Sequence, residues 1–182
     1  RAKAGKYAIP AINVTSSQTL SAALKGFADA ESDGIVQISN GGAAYWSGSS
    51  RLDRVAGSLA FASYARAVGD LYPGIVGLHT DHCPKKFLDC WIHPLLEIEA
   101  ERVKRGELPV FQSHMWDGSA ESLDDNIEIA VDMLKRSRAA HTVLEIEIGA
   151  VGGEEDGIKG EENASLYTTA DDAYRAIEAL GL

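Results

Sequence analysis

Residues able to carry out proton transfer and metal binding are crowded at positions 79–85, His-Thr-Asp-His-Cys-Pro-Lys. They follow an apolar run at 75–78 that predicts a buried strand, and Pro84 predicts that this strand ends nearby. At the carboxyl end of a strand, Asp81 could serve as a general acid or base and His82 as a metal ligand. A packed turn histidine beside a helix-capping aspartate would explain the same residues, so this segment does not decide the function by itself.

A second polar strand is predicted at 142–149, where two glutamates alternate with apolar residues. A period of two places Glu145 and Glu147 on one face and the intervening aliphatic side chains on the other. In an open antiparallel sheet these carboxylates would simply face water. In a barrel the apolar face packs against outer helices, so both glutamates would point inward, where they need a cation, a partner or a catalytic task.

The composition is that of a folded protein, and we expect a single domain over residues 1–182. Hydrophobic residues make up 45% of the chain and charged residues 24%. A net charge of -10 argues against nucleic acid and anionic membranes as partners. Two cysteines are too few for a disulfide framework, which favours the cytoplasm, and no apolar run reaches the roughly 18 residues of a membrane span. Because the chain starts without Met and stops after a predicted helix, we expect a piece of a longer protein.

Strand-like and helix-like segments alternate along the chain, which predicts right-handed βαβ units and a parallel sheet. The predicted strands are 7–13, 34–39, 75–80, 109–114 and 142–149, and the predicted helices are 16–30, 51–71, 91–105, 123–135 and 170–180. Ser50 and Asp53 have the spacing of a capping box at the start of the second helix. The segment Asn40-Gly41-Gly42 predicts a break after the second strand.

Alternation places polar side chains on one face of all five predicted strands. The predicted inward set is Asn13, Gln37, Ser39, His79, Asp81, Gln112, His114, Glu145 and Glu147. A polar site assembled from successive strands is the way a (β/α)8 barrel builds its active centre. We therefore predict an α/β fold, a TIM barrel of which this chain supplies about the first five strands.

Three motifs, taken in order, closely resemble class II, metal-dependent fructose-bisphosphate aldolases. They are residues 79–85, residues 113–119 (Ser-His-Met-Trp-Asp-Gly-Ser), and residues 144–157, which run from the paired glutamates to Gly-Gly-Glu-Glu-Asp-Gly. The resemblance extends from residue 7 to the C-terminus, and the order of the motifs makes it specific. It implies a TIM-barrel lyase of glycolysis that cleaves fructose 1,6-bisphosphate into dihydroxyacetone phosphate and glyceraldehyde 3-phosphate, with zinc as the electrophile.

The resemblance also implies roles for individual residues. It suggests Asp81 as the acid or base at the C4 hydroxyl of the substrate, and Glu155 as the group that exchanges the C1 proton of dihydroxyacetone phosphate. It suggests His82 as a zinc ligand, and Asp117 and Glu147 as carboxylates that shape the metal site. These five residues would form the chemical part of the active centre.

The substrate contacts and partners follow from the same resemblance. Asn13 and Ser39 match positions near the substrate and its phosphate. The expected cofactor is Zn²⁺, with a second divalent or monovalent cation left open, and the full-length protein is expected to be a homodimer or a larger homo-oligomer that binds a sugar phosphate. Members of the family continue through three more strands with two further histidine ligands and a glycine-rich phosphate loop, so these 182 residues alone are expected to be inactive.

Other interpretations of the sequence stay open. The chain could be a non-catalytic fragment of such an aldolase, or it could come from a tagatose-bisphosphate aldolase of the same class. A metal-dependent hydrolase on the same barrel is a third alternative. Such hydrolases commonly hold their metal with His-x-His on an early strand, whereas here the spacing is His79-x-x-His82.

Overall fold

Five parallel strands form one sheet in the order of the sequence. The computed structural model describes residues 2–48, 50–149 and 168–182, together with the backbone of 153–155 and 158–160. The strands are β1 (Ala11–Asn13), β2 (Gly34–Ile38), β3 (Val76–Pro84), β4 (Ser113–Asp117) and β5 (Val143–Glu147). Each strand pairs in parallel with the next one along the chain. This confirms the predicted α/β class and the number and order of the strands, although the predicted strand 109–114 overlaps β4 only at Ser113 and His114.

Helices connect the strands and cover one face of the sheet. They are α1 (Ala2–Gly5), α2 (Ser17–Asp29), α3 (Asn40–Trp46), α4 (Arg54–Gly69), α5 (His93–Lys104), α6 (Leu123–Ala140) and α7 (Ala170–Leu180). A 3-10 turn at Lys85–Phe87 and a π-helical turn at Leu88–Ile92 lead from β3 into α5. A short antiparallel pair, β6 (Gly153–Glu155) and β7 (Ile158–Gly160), follows β5. Among the described residues, no helix is long and apolar enough to span a bilayer.

Local capping explains where the sequence-based helix boundaries were right and where they were wrong. Ser16 caps α2 at the predicted start of that helix, with its hydroxyl accepting a hydrogen bond from the Thr19 N–H. The predicted capping box at Ser50 and Asp53 is wrong, because Asp53 is itself the N-cap and its carboxylate accepts from the Ala56 N–H at 2.9 Å. The backbone turns at Leu52, which has a φ of 54°, so the helix begins after that residue.

The predicted break after β2 is confirmed, because the strand ends at Ile38, and the segment that follows it is the helix α3. The Ser39 hydroxyl accepts a hydrogen bond from the Gly42 N–H at 3.2 Å and so starts a helix through two residues of low helix propensity. Gly41 is exposed and Gly42 is buried. The cap at Ser39 and the packing of α3 against α4, where Ala43 lies against Gly57, offset the intrinsic cost of glycine in a helix.

The contact between α3 and α4 depends on the absence of a side chain at Gly57. A Cβ at this position would lie 1.7 Å from the Ala43 carbonyl oxygen, a backbone atom that cannot turn aside. We expect Gly57→Ala in the full-length protein to lower the free energy of unfolding by about 1–3 kcal/mol, measured by urea denaturation. The matched control is Gly69→Ala in the last turn of the same helix, where nothing lies within 4 Å. That control is expected to be neutral or to stabilise by up to about 1 kcal/mol, and equal stability of the two variants would contradict the prediction.

One hydrophobic core lies between the sheet and the helices. It contains large side chains that are fully buried, among them Leu20, Phe61, Trp91, Phe111, Trp116 and Met133. Val36, Ile38 and Leu78 enter this core from β2 and β3, so the alternate residues of those strands face the other way, as predicted. Polar residues therefore collect on the face that the helices do not cover.

The predicted facing of β4 is off by one residue. His114 pairs with Thr80 and is fully buried on the helix side, where its Nε2 lies 2.8 Å from Glu99 Oε2 of α5. Ser113 pairs with His79, and Asp117 pairs with Glu147, so these residues share the inner face. The sequence prediction treated a polar histidine as inward-facing, whereas a buried glutamate allows His114 to lie in the core.

Candidate active site

A β-bulge at the end of β3 brings two consecutive residues to the inner face. Thr80 pairs with His114 and Cys83 pairs with Trp116, so β3 carries one residue more than β4 between these pairs. His82 takes a φ of 32°, which costs a non-glycine residue on the order of 1–3 kcal/mol. Strict alternation would send Asp81 and His82 to opposite faces; the bulge lets both side chains reach residues of the inner face.

Asp81 is held by a residue two strands away. Asn13 of β1 donates from Nδ2 to Asp81 Oδ2 at 2.7 Å, and only 8% of Asp81 is exposed. The other carboxylate oxygen lies 3.8 Å from His82 Nε2. The structure thus fixes the orientation of a nearly buried carboxylate, and it gives Asn13 a contact that the sequence did not predict.

His82, Asp117 and Glu147 form a cluster suited to a metal ion. One possible ligand atom from each residue lies within 4.8 Å of the other two. His82 Nδ1 is 3.2 Å from Asp117 Oδ2 and 3.3 Å from Glu147 Oε2. The second oxygen of Asp117 accepts from the N–H and the hydroxyl of Ser119, which leaves Oδ2 directed at the cluster.

The electrostatics of the cluster favour a cation. The Asp117 and Glu147 carboxylates raise the pKa of His82 to about 11. Burial would raise the pKa of Asp117, but hydrogen bonds from His82 and Ser119 outweigh burial and lower this pKa to about 2. Glu147 Oε2 is buried, and it faces His82 Nδ1 at 3.3 Å without a well-aligned hydrogen bond, which is costly for a carboxylate oxygen. A divalent cation would satisfy that oxygen, so the residues fit a metal site.

The other inward glutamate belongs to a different contact. Glu145 Oε2 lies 3.4 Å from His79 Nε2, and the other ring nitrogen of His79 is 2.7 Å from the Ser113 hydroxyl. Burial lowers the pKa of His79 to about 4, so this imidazole is neutral near pH 7. Burial also raises the pKa of Glu145. The two glutamates of β5 thus face different residues: Glu145 faces His79, and Glu147 faces His82.

The remaining predicted site residues fall at the same edge or outside the described side chains. Ser39 lies at the carboxyl end of β2, where its hydroxyl caps α3. The backbone of Glu155 lies in β6, paired with Ile158, but its side chain is outside the described residues.

Sequence reasoning missed Asn126, which positions the end of β5. Its Nδ2 donates to the Glu147 carbonyl oxygen at 2.7 Å, and its Oδ1 accepts from Trp116 Nε1 at 2.8 Å. A Cβ on Gly118 would lie 2.1 Å from the Asn126 amide, so glycine is required beside it. The available signal was a polar residue on the core face of α6, four residues before the buried Ala130.

A parallel sheet with a buried aspartate and a histidine–carboxylate cluster at its carboxyl edge has the layout of a metal-dependent α/β-barrel enzyme. Comparison with known proteins narrows this class. The family model described as fructose-bisphosphate aldolase class-II matches residues 1–182. The chain therefore belongs to the class II fructose-bisphosphate aldolase family, whose members are metal-dependent TIM-barrel lyases.

Individual relatives agree with this placement. The fructose-bisphosphate aldolase of Streptomyces coelicolor is 62% identical over 182 residues, which are 100% of this chain and 53% of that protein. The Corynebacterium glutamicum enzyme is 55% identical over 181 residues, again 100% of this chain and 53% of the relative. The crystal structure of fructose-bisphosphate aldolase from Campylobacter jejuni matches with a TM-score of 0.85 at 38% identity, over 99% of this chain and 51% of that one. The chain thus spans about half the length of the relatives it matches.

Proposed function

We propose that the full-length protein carrying this chain catalyses the reversible cleavage of fructose 1,6-bisphosphate into dihydroxyacetone phosphate and glyceraldehyde 3-phosphate, with zinc as its metal. Family membership over residues 1–182 supports the reaction. The cluster of His82, Asp117 and Glu147 is the observation that carries the metal dependence. Residues 1–182 would form the first five strands of a single barrel domain.

His82 would hold the cation from the bulge of β3, and Asp117 and Glu147 would hold it from the ends of β4 and β5. One imidazole and two carboxylates are a ligand set that zinc accepts, and a catalytic site keeps a position open for substrate. The chemistry that a bound divalent cation supplies is stabilisation of the negative charge left on the ketone fragment when the C3–C4 bond breaks. Among the described residues this is the one such cluster, so a second cation would share its carboxylates or use residues outside the described ones.

Asp81 would act on the C4 hydroxyl. Its carboxylate takes the hydroxyl proton as the C4 carbonyl forms, and the electron pair of the broken C3–C4 bond remains on C3. The hydrogen bond from Asn13 keeps one oxygen of Asp81 occupied and so orients the other for this transfer. In the complementary step we assign Glu155 the exchange of the C1 proton of dihydroxyacetone phosphate.

Substrate binding is assigned to Asn13 and Ser39 at the ends of β1 and β2. Both positions lie at the edge of the sheet that carries Asp81, which supports a role near the sugar phosphate. Tagatose 1,6-bisphosphate differs from fructose 1,6-bisphosphate in configuration at C4, the carbon on which Asp81 would act, so it is the second candidate substrate. The homo-oligomeric state and the cytoplasmic location stay predictions from the sequence.

Metal removal tests the proposed function. We expect chelator-treated full-length protein to lose cleavage of fructose 1,6-bisphosphate, and zinc or cobalt to restore it, because the cation would stabilise the negative charge left by C3–C4 cleavage. A coupled assay with each bisphosphate would measure both activities and distinguish the two substrates. Full activity in chelator, or inactivation by borohydride through a lysine Schiff base, would contradict the proposal.

A further inference from the structure

A buried chain of hydrogen bonds links α5 to β3 on the helix-covered side of the sheet, behind the candidate active site. Glu99 Oε2 lies 2.8 Å from His114 Nε2, and His114 Nδ1 lies 2.8 Å from the Thr80 hydroxyl. All three side chains are 0% exposed. The chain therefore connects a helix, β4 and β3 without any contact with solvent.

Every polar atom of this chain has a partner. The second oxygen of Glu99 accepts from the Phe111 N–H at 2.7 Å. A carboxylate can only accept, so a Glu99 carboxylate would take its hydrogen bond from His114 Nε2–H, and the Thr80 hydroxyl would then donate to Nδ1. The centroids of the Phe111 and His114 rings lie 5.5 Å apart, so an aromatic side chain packs beside the imidazole. Complete pairing defines one position for each group, whereas apolar side chains of similar volume would fill the same space without defining it.

Thr80 is the last regularly paired residue of β3 before the bulge. The next two residues are Asp81 and His82, which carry the proposed acid–base and metal-binding roles. A strained residue such as His82, with its φ of 32°, persists only where its surroundings hold it. On the far side of the bulge, Cys83 pairs with Trp116, whose indole is bonded to Asn126. On the near side of the bulge, the contact between the Thr80 hydroxyl and His114 holds β3 in place.

We propose that Glu99 is a positioning residue that acts through His114 and Thr80 to fix the bulge and so to direct Asp81 and His82 into the site. This inference rests on the proposed function. It assigns to a buried glutamate on the opposite side of the sheet a role in the geometry of the reaction. Small errors in that geometry are expensive in rate, since a misplacement of about 1 Å can cost roughly 100-fold.

The test uses paired substitutions in the full-length metal-loaded protein. Thr80→Val removes the hydroxyl at nearly constant shape, and Thr80→Ser restores it. Glu99→Met removes both acceptors, whereas Glu99→Gln can keep the chain, because its amide accepts from the Phe111 N–H and donates to His114 if the ring proton moves to Nδ1. The control is Ser58→Ala, which removes the buried hydrogen bond from Trp91 Nε1 to the Ser58 hydroxyl without touching the chain.

We expect Thr80→Val and Glu99→Met to lower kcat by about 10- to 100-fold with little change in KM. Thr80→Ser and Glu99→Gln should recover most of kcat, and Ser58→Ala should lower the melting temperature while kcat stays unchanged. If Thr80→Val lowers the melting temperature but keeps the wild-type kcat, the chain is structural only and the inference is wrong. If the wild-type protein itself does not cleave fructose 1,6-bisphosphate, the proposed function is wrong as well. The wild-type assay therefore distinguishes a failure of the proposed function from a failure of this inference alone.

Discussion

Asp81→Asn in the full-length protein is expected to lower kcat for fructose 1,6-bisphosphate cleavage by about 10²- to 10⁴-fold, the usual loss for a general acid or base. The amide keeps the size of the side chain and a hydrogen bond to Asn13, but it cannot accept the C4 hydroxyl proton. Metal content should stay at the wild-type level, because Asp81 lies outside the cluster of His82, Asp117 and Glu147. Steady-state kinetics and metal analysis on the same preparation measure both quantities.

The pattern across kcat and KM decides what Asp81 does. Loss of an interaction made only in the transition state lowers kcat and kcat/KM together, whereas loss of ground-state binding raises KM alone. An Asp81→Asn variant with full turnover would show that another group removes the proton. A variant that lost metal together with activity would place Asp81 among the ligands instead.

Alternation along the strands predicted much of the inner face, because most inward residues of the sheet are polar and most outward ones are apolar. It succeeded for Gln37, His79 and Glu147, whose neighbours enter the core. It failed on β4, where His114 is polar and yet buried against Glu99. The same off-by-one error would have turned Asp117 away from the site, so only the family resemblance identified that residue.

The bulge in β3 could not be predicted from the residues themselves. Nothing in the order Thr80-Asp81-His82-Cys83 indicates which residue is extra, because the bulge is set by pairing with β4 and by side chains from α5 and α6. The predicted strand therefore stopped at Thr80, whereas β3 continues to Pro84. A prediction that alternates strictly would also have placed Asp81 and His82 on opposite faces.

Glu147→Gln is expected to weaken metal binding by more than the 10- to 100-fold typical of residues that only support a ligand, because it removes a charge directed at the cluster. The matched control is Glu145→Gln, two residues earlier on the same face, where the carboxylate contacts His79 instead. This control should keep wild-type metal affinity, so the pair separates ligation from the general negative charge of the inner face. Zinc affinity is measured by competition with a chelating dye, with circular dichroism to confirm folding.

Proton release gives the same prediction a second measurement. Because the pKa of His82 is raised to about 11, its imidazole carries a proton near pH 7, and that proton must leave when the ring binds a cation. Zinc binding should therefore release about one proton from this residue and become stronger as pH rises. In Glu147→Gln one of the two carboxylates that stabilise the imidazolium is gone, so fewer protons should be released at the same pH. Equal zinc affinity in wild type, Glu147→Gln and Glu145→Gln would remove Glu147 from the metal site and leave it only its contact with His82.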